Sequence, residues 1–178
     1  MTLISQLQTS SIARMLSLYK LTGICNDIEE VIFVHNILAP LLDYTFSVDV
    51  NLQYSWANVC IDSEYKEYKP DYMLYANGLS KKFIVLVAEF KPPKAYQRFE
   101  FDYIKLGKEM RLLINRLYGL GVEKPVVCGI LVLKDIVHTF KMELKDAKVY
   151  AMIQLSKTLL CKSSEDLYKV LTLASVLN

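Results

Sequence analysis

Two acids and a lysine carry the chemistry this sequence offers. Asp71 follows Pro70 at the head of a short strand pattern, 71–76, and Glu89 and Lys91 bracket Phe90 at the end of the apolar run Phe83–Ala88, just before Pro92-Pro93. Residues two apart on a strand project to one face, so Glu89 and Lys91 point the same way and Phe90 the other. If the strand 71–76 pairs with Lys82–Lys91 through a turn at Asn77-Gly78, the register brings Asp71 close to Glu89. Two carboxylates meeting at a strand end, with a lysine one pleat away, form a hard-oxygen site suited to Mg²⁺ or Mn²⁺. Plainer roles exist for each residue. Asp71 after a proline suits a turn, and Glu89 with Lys91 suits a cross-strand ion pair on a sheet edge, although their apolar strand argues against a fully solvated face.

The elements that must position these residues follow from periodicity. Ile4, Leu7, Ile12, Met15, Leu16 and Tyr19 recur at helical spacing up to a C-cap at Gly23. A second helix starts at Asn26–Glu30, with capping-box spacing from Asn26 to Glu29 and from Asp27 to Glu30. Its apolar face runs to about Tyr44, and Pro40 predicts a bend or an early end. Alternation predicts a strand over Phe46–Tyr54, followed by a polar loop to Lys69 in which Val59 and Ile61 can edge the sheet. Asn77-Gly78 predicts a tight hairpin into the strand Lys82–Lys91. A long helix is expected over Tyr96–Leu117, ended by Gly119 and Gly121. Three β-rich runs follow, Val126–Leu133, Val137–Leu144 and Lys148–Leu155, with turns at Lys134-Asp135 and Lys145-Asp146. Ser163 opens a last helix to Leu177. No repeat or linker interrupts the chain, so a single α/β domain with a mixed sheet is expected over 1–178.

Composition sets the outer limits. A chain of 178 residues fits one domain with a sizeable core. No apolar run approaches the roughly 20 residues of a membrane span, so no membrane partner is expected. The net charge of +2 neither demands nor excludes nucleic acid, and the lysines are dispersed. Cys25, Cys60, Cys128 and Cys161 stand far apart without a CxxC pair, which fits free thiols in a reducing compartment. His35 and His138 have no neighbouring ligand at metal spacing. With no apolar secretory core, the expected location is cytoplasm or nucleus.

Pro70-Asp71, then Glu89-Phe90-Lys91, preceded by a helix bearing Glu30, resembles the PD-(D/E)XK phosphodiesterase superfamily. Trp56-Ala57-Asn58, the Glu-Phe-Lys-Pro stretch and the segment Asp102–Met110 are similar to a group of such proteins in early-diverging fungi. The resemblance covers about residues 27–155, with the first and last helices as additions. It implies a restriction-endonuclease-like mixed central β-sheet flanked by helices, and a metal-dependent nuclease acting on nucleic acid, DNA before RNA. It further implies that Asp71, Glu89 and the backbone carbonyl of Phe90 hold Mg²⁺ or Mn²⁺. Lys91 would orient a water and stabilise charge on phosphorus, Glu30 would serve a second metal or water, and Lys105 would grip a neighbouring phosphate.

Each assignment has a competitor. Glu30 equally suits the capping box. Lys105 and Lys108 suit a solvated helix face, Lys81-Lys82 suits solubility, and Trp56 suits core or lid packing better than base stacking. The rival function is a catalytically idle nuclease-like fold used for binding. Metal dependence separates the two.

Overall fold

The computed structural model describes residues 34–46, 51–57, 59–61, 63, 66–78, 81–91 and 99–160. Glu30 and the expected first and last helices lie outside the described residues. Six strands form one mixed sheet in the order β1-β2-β3-β4-β5-β6: β1 Leu52–Trp56, β2 Tyr72–Gly78, β3 Lys81–Lys91, β4 Val126–Leu133, β5 Ile136–Asp146 and β6 Val149–Leu159. The first three strands are an antiparallel meander. A helix, α2 (Phe99–Gly119), then carries the chain across to β4, which runs parallel to β3. The remaining strands are antiparallel. A short helix, α1 (Ala39–Phe46), precedes the sheet.

β3 and β4 are apolar on both faces because both faces are covered, as a central parallel pair requires. On one face, Leu38, Leu41 and Leu42 pack with Tyr72, Leu86, Ala88, Phe90, Ile130 and Val132. On the other, Leu106, Met110, Leu113, Ile114 and Leu117 of α2 pack on Met73, Ile84, Val87, Val127 and Leu131. Gly129 in β4 lets α2 come close: a Cβ there would stand 2.6 Å from Met110 Sδ. As expected, α2 stops at its glycines. Val122 N–H donates to the Leu117 carbonyl (3.0 Å), and Gly121 takes a φ of 91°, open to glycine without strain. Among the described residues no helix is long and apolar enough to cross a membrane.

Several boundaries differ from those expected. Phe46 ends α1 rather than opening a strand. Pro40 lies in the first turn of α1, directly after a π-helical turn, Val34–Leu38, a place near a helix start where its ring is tolerated. Val59 and Ile61 join no strand, and Ile61 is buried beside α2. The turn expected at Lys145-Asp146 falls instead at Ala147-Lys148, with Asp146 paired to Val149 and Lys148 at φ 63°. The last strand, expected to end at Leu155, runs on to Leu159, and Leu160 after it is buried against the α1 face.

The correction that matters most is at the β2–β3 hairpin. Asn77 and Gly78 are not the turn but lie inside β2, paired with Lys82 and Lys81. A turn at Asn77-Gly78 would have set Asp71 opposite Ile84, far from Glu89. The observed register begins two residues later and shifts once more at a β-bulge, where Tyr75 pairs with Ile84 but Leu74 pairs with Leu86. Val85 is the extra residue. It and Leu86 both pack on the α1 face, after which alternation resumes with Val87 on the α2 face. Tyr72 therefore meets Ala88, and continuing that register brings Asp71 beside Glu89, close enough for its charge to act on it. Without the bulge, Asp71 would lie level with Ala88 and face the wrong side of the sheet.

Candidate active site

Asp71 is held at the point where β2 begins. Pro70 has no N–H to extend the ladder, and Asp71 completes it with its side chain. Its N–H donates to the Ala88 carbonyl (3.0 Å) and its carbonyl accepts from Ala57 N–H (2.8 Å). Its carboxylate Oδ2 accepts the N–H of Phe90 at 2.7 Å. An extended residue sends its N–H and C=O to the same side of the strand, so the Phe90 carbonyl is directed toward Asp71. The next carbonyl, that of Lys91, points to β4 and accepts from Lys134 N–H (2.9 Å). The ring of Phe90 is buried on the α1 face, beside Trp56 and Tyr72, so Trp56 is a packing residue.

Glu89 and Lys91 project toward α2, as the pleat requires. Glu89 has no solvent exposure. Its Oε1 accepts from Lys105 Nζ at 2.6 Å, while its Oε2 is buried with no hydrogen-bond partner. Lys105 also donates to the Lys69 carbonyl (3.3 Å) and stands 3.8 Å from Glu109 Oε1, one helical turn along α2. Glu109 is wholly buried and neither of its oxygens accepts a hydrogen bond from an amine, amide or hydroxyl; Asp102, also buried, leaves Oδ2 without one.

Crowding of acids in a dry site sets their charge. Burial, and then the charge of Asp71, push Glu89 up to about 7, against the pull of Lys105 and of Lys91. Burial and the neighbouring Glu89 raise Glu109 to about 9. At that value Glu109 is a neutral acid at pH 7, able to donate a hydrogen bond to Glu89. Burial raises Asp102 as well, with Lys91 and Lys105 opposing. Burial by itself would lower Lys105, but its hydrogen bond to Glu89 and the surrounding acids leave it raised.

The structure thus brings together Asp71, Glu89, Lys91 and Lys105. Lys105, expected on a solvated face or against a phosphate, is partly exposed and pairs with Glu89, whereas Lys108 is exposed. Lys82 lies 3.6 Å over the Tyr75 ring and is more than a solubility residue. Sequence reasoning gave no role to Glu109 or Asp102, although both lie in the segment Asp102–Met110. The available signal was an acid between Leu106 and Met110 on the apolar stripe of α2, in helical step with Lys105 and Asp102.

Among the described residues no three His, Cys, Asp or Glu side chains form a ready-made metal cage. Asp71, Glu89 and the Phe90 carbonyl nevertheless direct hard oxygen donors to the same end of β3, and the orphaned Glu89 Oε2 suits a hard cation. No family model, curated protein or solved structure matches the chain.

Proposed function

We propose that the chain is a divalent-metal-dependent phosphodiesterase acting on nucleic acid, DNA before RNA, on a PD-(D/E)XK, restriction-endonuclease-like core. The observation that carries this reading is the meeting of Asp71 and Glu89 on one face at the end of β3, with Lys91 one pleat further on. The order of antiparallel meander, crossover helix and parallel β4 supports the same fold. Asp71, Glu89 and the Phe90 carbonyl would hold Mg²⁺ or Mn²⁺. When bound, such a cation polarises the phosphate and acidifies a water. Lys91 then stabilises charge gathering on the phosphoryl oxygens as the water oxygen bonds to phosphorus and the ester P–O bond breaks. Such an enzyme would work in the cytoplasm or nucleus.

A second reading, an idle nuclease-like fold used for binding, is favoured by one observation: the Lys105 ammonium already sits on Glu89 Oε1. Cleavage assays separate the two. Purified protein with Mg²⁺ or Mn²⁺ is expected to cut single- or double-stranded DNA or RNA, and Asp71→Ala or Lys91→Ala to abolish cutting without unfolding. Substrate binding in Ca²⁺ should survive Lys91→Ala, because that lysine acts mainly on the transition state, and should weaken with salt. Failure on all four substrates, with no metal bound, leaves the idle fold.

A further inference from the structure

We propose that Glu109 is a third carboxylate of the site, and that Lys105 is a built-in counter-cation which a divalent metal displaces from the Glu89–Glu109 pair. This deepens the phosphodiesterase reading and rests on it for the placement of metal at Glu89.

A buried carboxylate oxygen without a donor is costly, and folded proteins keep few of them. Here three lie together with no amine, amide or hydroxyl donor on them, Glu89 Oε2 and both oxygens of Glu109, so that in the absence of a cation a proton on Glu109 is what joins the two carboxyls. The Lys105 ammonium beside them bonds Glu89 Oε1 at 2.6 Å and stands 3.8 Å from Glu109 Oε1. A structural ion pair needs one acid and one base. A second wholly buried acid, on the stripe where Leu106 and Met110 pack, adds only a 3.8 Å contact to that pair, and an apolar side chain there would bury more surface.

The charge balance points the same way. Asp71, Glu89, Asp102 and Glu109 act on one another alongside just two lysines, Lys91 and Lys105. Among the described residues the acids of the site therefore outnumber its bases by two, an excess of the sign a cation would offset. Lys105 is suited to leaving. Its side chain is 36% exposed on a flexible four-carbon stem, and its other bond, to the Lys69 carbonyl, is long at 3.3 Å. Glu109 is fixed in the middle of α2, which Gly129 lets settle close over the sheet.

Calorimetric titration of Mn²⁺ into the full chain tests this without any cleavage readout. Glu109→Gln keeps the shape of the side chain and is expected to weaken Mn²⁺ binding roughly 10–100-fold, the usual loss when a supporting group is removed from a metal site. Lys105→Met is expected to tighten Mn²⁺ binding several-fold, and Lys105→Arg is not. If Glu109→Gln binds Mn²⁺ like the wild type while Glu89→Gln loses it, the role of Glu109 is refuted and the phosphodiesterase reading stands. If Lys105→Met gains no affinity, the displacement is refuted. If Lys105→Met does not fold, Glu109→Gln, which retains the lysine, decides. Wild-type protein that binds no Mn²⁺ through Asp71 and Glu89 refutes both the inference and the reading beneath it.

Discussion

Glu109→Gln should stabilise the metal-free protein, and by an amount that depends on pH. In the fold its carboxyl is pushed up to about 9 from an ordinary value of 4.5. The native state therefore holds a proton that the unfolded chain releases, and stability falls as pH rises between those two values. Each pH unit in that window costs up to about 1.4 kcal/mol, so at pH 7 the acid costs at most roughly 3 kcal/mol relative to a neutral side chain of the same shape. The amide introduced by Glu109→Gln would also donate an N–H to Glu89, as the protonated acid does. Urea denaturation in EDTA at pH 4.5, 6, 7 and 8 is the assay. The variant should match the wild type at the lowest pH and gain roughly 1–3 kcal/mol by pH 7. A variant less stable than the wild type at pH 7 and 8, or a difference that does not change with pH, would show that Glu109 is an ionised structural partner and sink the argument.

Two further expectations concern the scaffold. Gly129→Ala places a Cβ 2.6 Å from Met110 Sδ and 3.2 Å from Leu106 Cδ2, which should cost about 1–3 kcal/mol by overpacking and, by lifting α2, weaken Mn²⁺ binding; an unchanged melting temperature would contradict the close helix–sheet approach. Gly121→Ala, at φ 91° with open space around it, should cost about 1 kcal/mol from backbone strain alone, read in the same melts with metal affinity unchanged.

What could be read from the sequence divides along physical lines. β4 was legible to the residue, because Val126–Leu133 is an unbroken apolar run between turn residues. Glu89 and Lys91 on one face, with Phe90 on the other, followed from the pleat alone. The hairpin turns were less legible. Lys134 and Lys148 adopt positive φ, a conformation that their side chains do not advertise, while Asn77-Gly78, which does advertise it, is strand. The alternation from Phe46 to Tyr54 suits a strand, but at Phe46 packing on the α1 side of the core wins and the helix continues. Glu109 was invisible for a different reason: a surface acid and a buried one look alike until the partner on β3 is known.

The bulge at Val85 imposes a parity on this hairpin. Strands joined by a two-residue connection pair residues an odd number of positions apart, as Gly78 and Lys81 do. Asp71 and Glu89 are 18 positions apart, an even number, so they become level only because one residue is left over. Loss or gain of a single residue between them would send one acid to the α1 face while keeping every site residue in the sequence. Gain of two residues at the hairpin tip would preserve the facing pair. Length change in this segment is therefore tolerated in steps of two, and a copy of this chain that differs there by one residue can retain Asp, Glu and Lys intact and still have no site.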